Sequence, residues 1–288
     1  MDAWTASGPP LRPAAPSRPA PKPLGRGSRE PTGVQPRSPG QRRSYAGCVN
    51  PPRLLVIQHD LDDPLNELAP PFVVAGLQVD TWCTWHDEQS PWPLEQFAGV
   101  VSMGALASVT NEASVPWIRN EVALLGQALE RGMPVLGVCF GSQSLARAAG
   151  GQVRKSPLTE IGWHDVTMAP HAETDPVLGS LGRTFPAFQW HYDTFDLPPD
   201  ATVLATAGDL IEAYRVGESA WGVQFHIEAN PSVVYGWLGT YRQAIDEEGI
   251  DVDELRAATE RNWIEYKRRS WEVGAAFATQ VVRSESRR

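Results

Sequence analysis

Val135-Leu136-Gly137-Val138-Cys139-Phe140-Gly141-Ser142-Gln143 is the stretch on which the fold turns. Its first four residues make a short apolar run of buried-strand type, while the residues after Gly141 carry helical spacing as far as Gly150-Gly151, a suitable C-terminal cap. The junction has the form G-x-C-x-G, in which flanking glycines permit a sharp, strained turn that lifts the central side chain above a sheet. The positive end of the following helix favours a thiolate, so Cys139 is a candidate nucleophile. A small buried cysteine in a tight turn is the competing reading of the same pattern.

Working outward, the same alternation repeats. Leu54 to Gln58, Leu77 to Trp82 and Gly99 to Ser102 read as strands, with helical spacing from Glu67 to Ala75 and from Trp117 to Arg131. Such alternation predicts an α/β protein built on a central, mostly parallel sheet with helices on both faces. After Gly151 shorter strand patterns follow, from Gly162 to Met168, Thr202 to Ala205, Glu212 to Val216 and Ala220 to His226, as in an antiparallel or mixed portion of sheet. Beyond Pro231 the pattern is helical throughout, over Val233 to Ala244, Val252 to Tyr266 and Trp271 to Val281.

Composition divides the chain of 288 residues, whose net charge is −9. Residues 1–53 hold nine Lys and Arg against two acids, and the remainder holds 16 against 32. An acidic body argues against a nucleic-acid surface, which needs concentrated cation. Residues 1–52 carry 12 of the 26 prolines and few aliphatic side chains, so they are read as a disordered extension. Arg42-Arg43 and Tyr45-Ala46-Gly47-Cys48 lack the apolar stretch that a secretory address requires. No window reaches the length of a membrane span, and three scattered cysteines suit a reducing compartment, so the expected location is cytoplasmic. The domains expected are the extension (1–52), a catalytic domain (53–246) and a C-terminal helical tail (247–288).

A thiolate nucleophile works with an imidazole oriented by a third group. In Gln224-Phe225-His226-Ile227-Glu228, strand alternation would project His226 and Glu228 to one side, so the carboxylate can hold one ring nitrogen while the other faces sulfur. The remaining histidines, His59, His86, His164 and His171, show no ligand-like spacing, and neither a metal nor a cofactor is expected.

Together the elbow and Gln224-Phe225-His226-Ile227-Glu228 resemble the class I, triad-type glutamine amidotransferases over roughly residues 53–246. Glu160-Ile161-Gly162-Trp163 and Gln189-Trp190-His191-Tyr192-Asp193-Thr194-Phe195-Asp196-Leu197-Pro198 are similar to signatures of the stand-alone, GMP-synthase-like members. The resemblance implies a flavodoxin-like fold and cleavage of a glutamine side-chain amide through a γ-glutamyl thioester. Cys139 would be the nucleophile, His226 the acid and base, and Glu228 its orienter. It also implies an oxyanion hole of two backbone N–H groups, one from Phe140 and one from the loop Ser102-Met103-Gly104-Ala105. That loop has one glycine where the family has two, so Gly104 matches either the second, as the donor, or the first, with Ala105 donating; the former is taken here. Gln143 matches a position that helps hold bound glutamine. His191 and Asp193 match a signature at the rim of the site, or else hold strand ends through a hydrogen-bonded turn. L-glutamine is the implied substrate, and no synthase half is fused here, so an ammonia-accepting synthase would be a separate partner. Two alternatives stand beside this reading: a hydrolase of another γ-glutamyl amide, and a catalytically silent binding or regulatory module of the same fold.

Overall fold

A computed structural model of the protein describes residues 50–198 and 200–288. The expected disorder of 1–52 falls, but for its last three residues, outside that range.

Nine strands form one sheet in the order β2-β1-β3-β4-β9-β8-β7-β5-β6. Strands β1 (Arg53–Gln58), β2 (Gln78–Cys83), β3 (Gly99–Ser102), β4 (Val135–Val138) and β9 (Ala220–Val223) pair in parallel. In β1, Leu54 and Val56 enter one core cluster and Leu55 and Ile57 the other, so the run is apolar without alternation because both faces are covered. Helices α2 (Pro116–Glu130) and α3 (Phe140–Ala148) pack on one face through Leu125, Ala128, Leu145 and Ala146. On the other face lie α1 (Ala69–Val74), α4 (Pro231–Thr240) and the 34-residue helix α6 (Val252–Glu285), with Phe72 against Phe277. A short α5 (Arg242–Glu247) leads into α6. The two helical patterns read after Val252 are therefore one continuous helix, started by Asp251, whose side chain accepts from the N–H groups of Asp253 and Glu254.

The second half of the sheet is antiparallel: β5 (Gln152–Met168), β6 (Thr184–Asp196), β7 (Ala201–Ala207) and β8 (Leu210–Val216). Two strand readings need correction. The segment carrying His191 and Asp193 is a strand, β6, and not a turn holding strand ends; Pro186 masks it in the sequence, and its place at the sheet edge is where a proline costs no ladder bond. Strand β9 ends at Val223, short of His226. There the backbone leaves its parallel partner: Gln224 N–H donates to Glu212 O of β8 (2.8 Å) and His226 N–H to Phe188 O of β6 (2.8 Å).

The parallel strands fix the site. Because β1 has β2 on one side and β3 on the other, a crevice opens beyond their carboxyl ends, where such sheets bind ligands. The segments following β1 (Asp60–Asp63), β3 (Met103–Leu106), β4 (Cys139) and β9 (His226–Glu228) all converge there.

Candidate active site

Cys139 has φ +51° and ψ −108°, a conformation that non-glycine residues rarely adopt, stabilised by its N–H on Val223 O (2.8 Å). The elbow glycines are dictated by contact. A Cβ on Gly137 would come within 2.5 Å of Gly141 O, and one on Gly141 would collide with the Ser102 backbone carbonyl. The thiol is buried, faces Trp190 O at 3.8 Å and accepts from Gln224 Nε2 at 3.7 Å.

His226 lines the same small cavity as Cys139, and its Nδ1–H donates to Glu228 Oε1 at 2.6 Å, which leaves Nε2 for sulfur. Burial alone would push the imidazole pKa down, but the Glu228 carboxylate, then Cys139, outweigh it and hold it well above the usual value. The meeting of ring and carboxylate thus comes from a turn at 226–228 and not from strand alternation. Two hydroxyls of α6 brace that turn: Tyr266 Oη donates to His226 O (3.0 Å) and Ser270 Oγ to Ile227 O. Trp237 of α4 packs edge-on against the imidazole, with centroids 4.8 Å apart.

Several contributors escaped the sequence reading. Asp63 is buried beside Glu228 and His226; burial first, then the Glu228 charge, lift its pKa far above the carboxylate range. Two carboxyl groups buried this close disfavour both being charged. A Cβ on Gly104 would collide with Asp63 Oδ2 and lie 2.9 Å from His226 Cε1, which explains why this loop keeps one glycine here.

His59, read as a residue without a role, supports the loop from behind. Nδ1 meets Gly104 O at 3.0 Å and Nε2 meets Glu121 Oε2 at 2.7 Å; Ser102 Oγ donates to the other Glu121 oxygen at 2.6 Å. Both partners of the ring are acceptors, so both nitrogens must carry hydrogen and His59 is an imidazolium. Burial works against that charge, but Glu121 and the Gly104 carbonyl raise the pKa above its usual value. A group raised in the folded state stabilises fully below its unfolded pKa, about 6.5, and loses that contribution as pH rises through the folded value. Glu121→Gln should therefore cost about 2 kcal/mol at pH 5.5 and distinctly less at pH 9. Urea midpoints at the two pH values check this, and an equal loss at both would contradict it.

Tying Gly104 O to His59 also decides which amide faces the nucleophile. In a trans peptide the carbonyl and the next N–H point in opposite directions, so the Ala105 N–H is turned away from His59. Ala105, unlike Gly104, lines both cavities that meet at Cys139. This favours the Ala105 N–H over that of Gly104 as the loop's donor. Neither it nor the Phe140 N–H has an acceptor among the described residues.

Gln143 is buried on α3, its Nε2 donating to Asp193 O (3.2 Å) and Gln224 Oε1 (3.2 Å). Asp193 accepts from Ser108 Oγ. Together with Lys155 and Tyr192 these residues line a cavity of about 170 Å³ on one side of Cys139. His191 reaches its wall but turns its Nε2 to Glu160 Oε2, 3.4 Å away. A smaller cavity of about 30 Å³ lies on the other side, lined by Asp60, Asp62, Asp63, Trp190, Trp237 and Tyr241. Two groups of ionisable side chains among the described residues could surround a metal ion: Asp63, His226 and Glu228, and Glu160, His191 and Glu212.

The family model for class I glutamine amidotransferases matches residues 72–234, more than half of the chain. The chain belongs to the class I glutamine amidotransferases. The chain is 36% identical over 152 residues to the GMP synthase [glutamine-hydrolyzing] of Aeropyrum pernix, a match covering 50% of this chain and only 28% of the synthase. A glutamine amidotransferase-like protein of Salmonella typhimurium, YfeJ, is 31% identical over 166 residues, covering 55% of this chain and 70% of YfeJ. Among solved structures, a glutamine amidotransferase of Thermotoga maritima superposes with a TM-score of 0.71 at 29% identity, over 80% of this chain and 98% of that one. No helix among the described residues is long and apolar enough to cross a membrane.

Proposed function

We propose that this chain hydrolyses the side-chain amide of L-glutamine to glutamate and ammonia. The observation that carries the reading is the strained Cys139 at the carboxyl end of β4, sharing a cavity with an imidazole already fixed by Glu228. In the reaction His226 holds the thiol proton, the Cys139 sulfur attacks the γ-carbonyl carbon, and the oxyanion is received by the N–H groups of Phe140 and Ala105. Each such donor typically contributes about 3 kcal/mol to the transition state. His226 then delivers its proton to the departing nitrogen, ammonia leaves, and the γ-glutamyl thioester remains. Water, deprotonated by the same imidazole, attacks the thioester; glutamate departs and sulfur recovers the proton.

The two cavities divide the substrate. The larger offers opposite charges, Lys155 and Asp193, to the α-carboxylate and α-ammonium of glutamine, with Gln143 between them. The smaller has room for a group the size of one or two water molecules, which suits ammonia and disfavours the bulkier leaving groups of other γ-glutamyl amides. Its aspartate side chains suit a small polar leaving group that can donate hydrogen bonds, such as ammonia. The ammonia acceptor would be a separate synthase, and a cytoplasmic location follows from the same reading.

The test is ammonia release from glutamine, set against a panel of γ-glutamyl alkylamides, with labelling by a glutamine-mimicking electrophile followed by peptide mapping. Glutamine should be the best substrate, and the label should sit on Cys139. Faster turnover of an alkylamide would reassign the substrate; an unlabelled Cys139 with no turnover would leave a silent module of the same fold.

A further inference from the structure

Next to Trp190 in the sequence, three strands bring together side chains that the proposed reaction does not use. Glu160 of β5, His191 of β6 and Glu212 of β8 place one ligand atom each within 4.8 Å of one another, and all three are buried. The fully buried Gln189 joins them, its Nε2 donating to Glu212 Oε2 at 2.6 Å. Four atoms are then left without a partner among the described residues: Glu160 Oε2, His191 Nε2, Glu212 Oε1 and Gln189 Oε1. Neither carboxyl group is paired with a lysine or arginine there. Three of these side chains converge on one point, and buried acceptors grouped there without a donor mark a place where something positive is wanted.

The spacing is informative. His191 Nε2 and Glu160 Oε2 stand 3.4 Å apart without forming a hydrogen bond. Two ligands of a tetrahedral ion with bonds of about 2.1 Å are separated by about 3.4 Å. His191 Nδ1 is engaged with Asp193 O at 3.2 Å, which leaves Nε2 as the ring's coordinating atom.

We propose that Glu160, His191 and Glu212, completed by the amide oxygen of Gln189, form a binding site for a divalent first-row transition metal, for which zinc is the best match. An imidazole among the ligands disfavours magnesium and calcium, and a set of one nitrogen and three oxygens without thiolate suits zinc, manganese or ferrous iron. With four protein ligands the site is closed and its task is structural. It pins β5, β6 and β8 to one another on either side of Trp190, whose carbonyl faces the Cys139 sulfur. Its residues come from three separate strands, so no sequence spacing announces it.

The experiment uses the full chain carrying Cys139→Ser, so that the active-site thiol cannot take up metal. The protein is stripped with a chelator, dialysed against buffered micromolar zinc and analysed for metal by mass spectrometry. About one zinc per chain is expected, with the melting temperature raised by roughly 5–10 °C at a hundredfold excess over Kd. Glu160→Gln and Glu212→Gln, which keep side-chain shape, should each weaken binding by about 100-fold while the stripped variants still fold, as circular dichroism would show. Cobalt in place of zinc should give the absorption of a tetrahedral ion, lost in both variants. Absence of retained zinc, or zinc held equally well by the double Gln variant through Asp63, His226 and Glu228, would overturn the proposal.

Discussion

Cys139→Ala should lower ammonia release from glutamine by about 10⁴-fold or more, because no other group at the site can form the thioester. The fold should survive: alanine keeps the Cβ and the strained backbone of the elbow, and loses only the sulfur contacts to Trp190 O, Gln224 and His226. The change in stability is therefore expected within about 1 kcal/mol. Cys139→Gly sharpens the expectation, since glycine accepts φ +51° freely; it should be equally inactive yet no less stable than the alanine variant, a strain of about 1–3 kcal/mol having been relieved. Steady-state ammonia assays beside urea melts decide this. Retention of more than about 1% of activity by either variant would remove Cys139 from the chemistry.

Gly141→Ala should be the most damaging single methyl group in the molecule. Its Cβ would collide with the Ser102 carbonyl and lie 2.5 Å from both the Ser102 carbonyl carbon and Oγ, and the backbone of β3 cannot swing aside as a side-chain tip can. Relief requires α3 to withdraw from the sheet, which would break the bond from Gly141 N–H to Met103 O and displace the Phe140 amide. A loss of about 4 kcal/mol or failure to fold is expected. Gly150 offers the contrast: it has φ +95° but open space around its missing Cβ, so Gly150→Ala should cost only about 1–2 kcal/mol. Urea midpoints for the pair test the distinction, and equal losses would mean that backbone conformation, not contact with β3, makes Gly141 necessary.

The parts of this protein that were legible in its sequence are those whose physics is local. The elbow needs two glycines around one cysteine, and the His226 and Glu228 pair sits two residues apart, so both could be read along the chain. Their meeting point was also readable, because parallel α/β sheets gather loops at the carboxyl ends of their strands. What stayed hidden depends on contacts across elements. His59 and Glu121 are 62 residues apart, and their pairing becomes visible only when β1 and α2 are side by side. The choice between Gly104 and Ala105 as amide donor likewise rested on the direction of one carbonyl, which His59 sets. Strand β6 went unrecognised because Pro186, His191 and Asp193 interrupt the apolar pattern, although most of the strand is buried.

The long final helix has a practical consequence. Through Tyr266 and Ser270 it grips the peptide units of His226 and Ile227, so the segment after Val252 is a keel to the candidate site and no loose appendage. Anyone trimming the chain to its recognisable homology region, or grafting a reporter into 252–285, would unmoor the imidazole although Cys139, His226 and Glu228 all remain in the sequence. A dead truncate would then be mistaken for a dead enzyme.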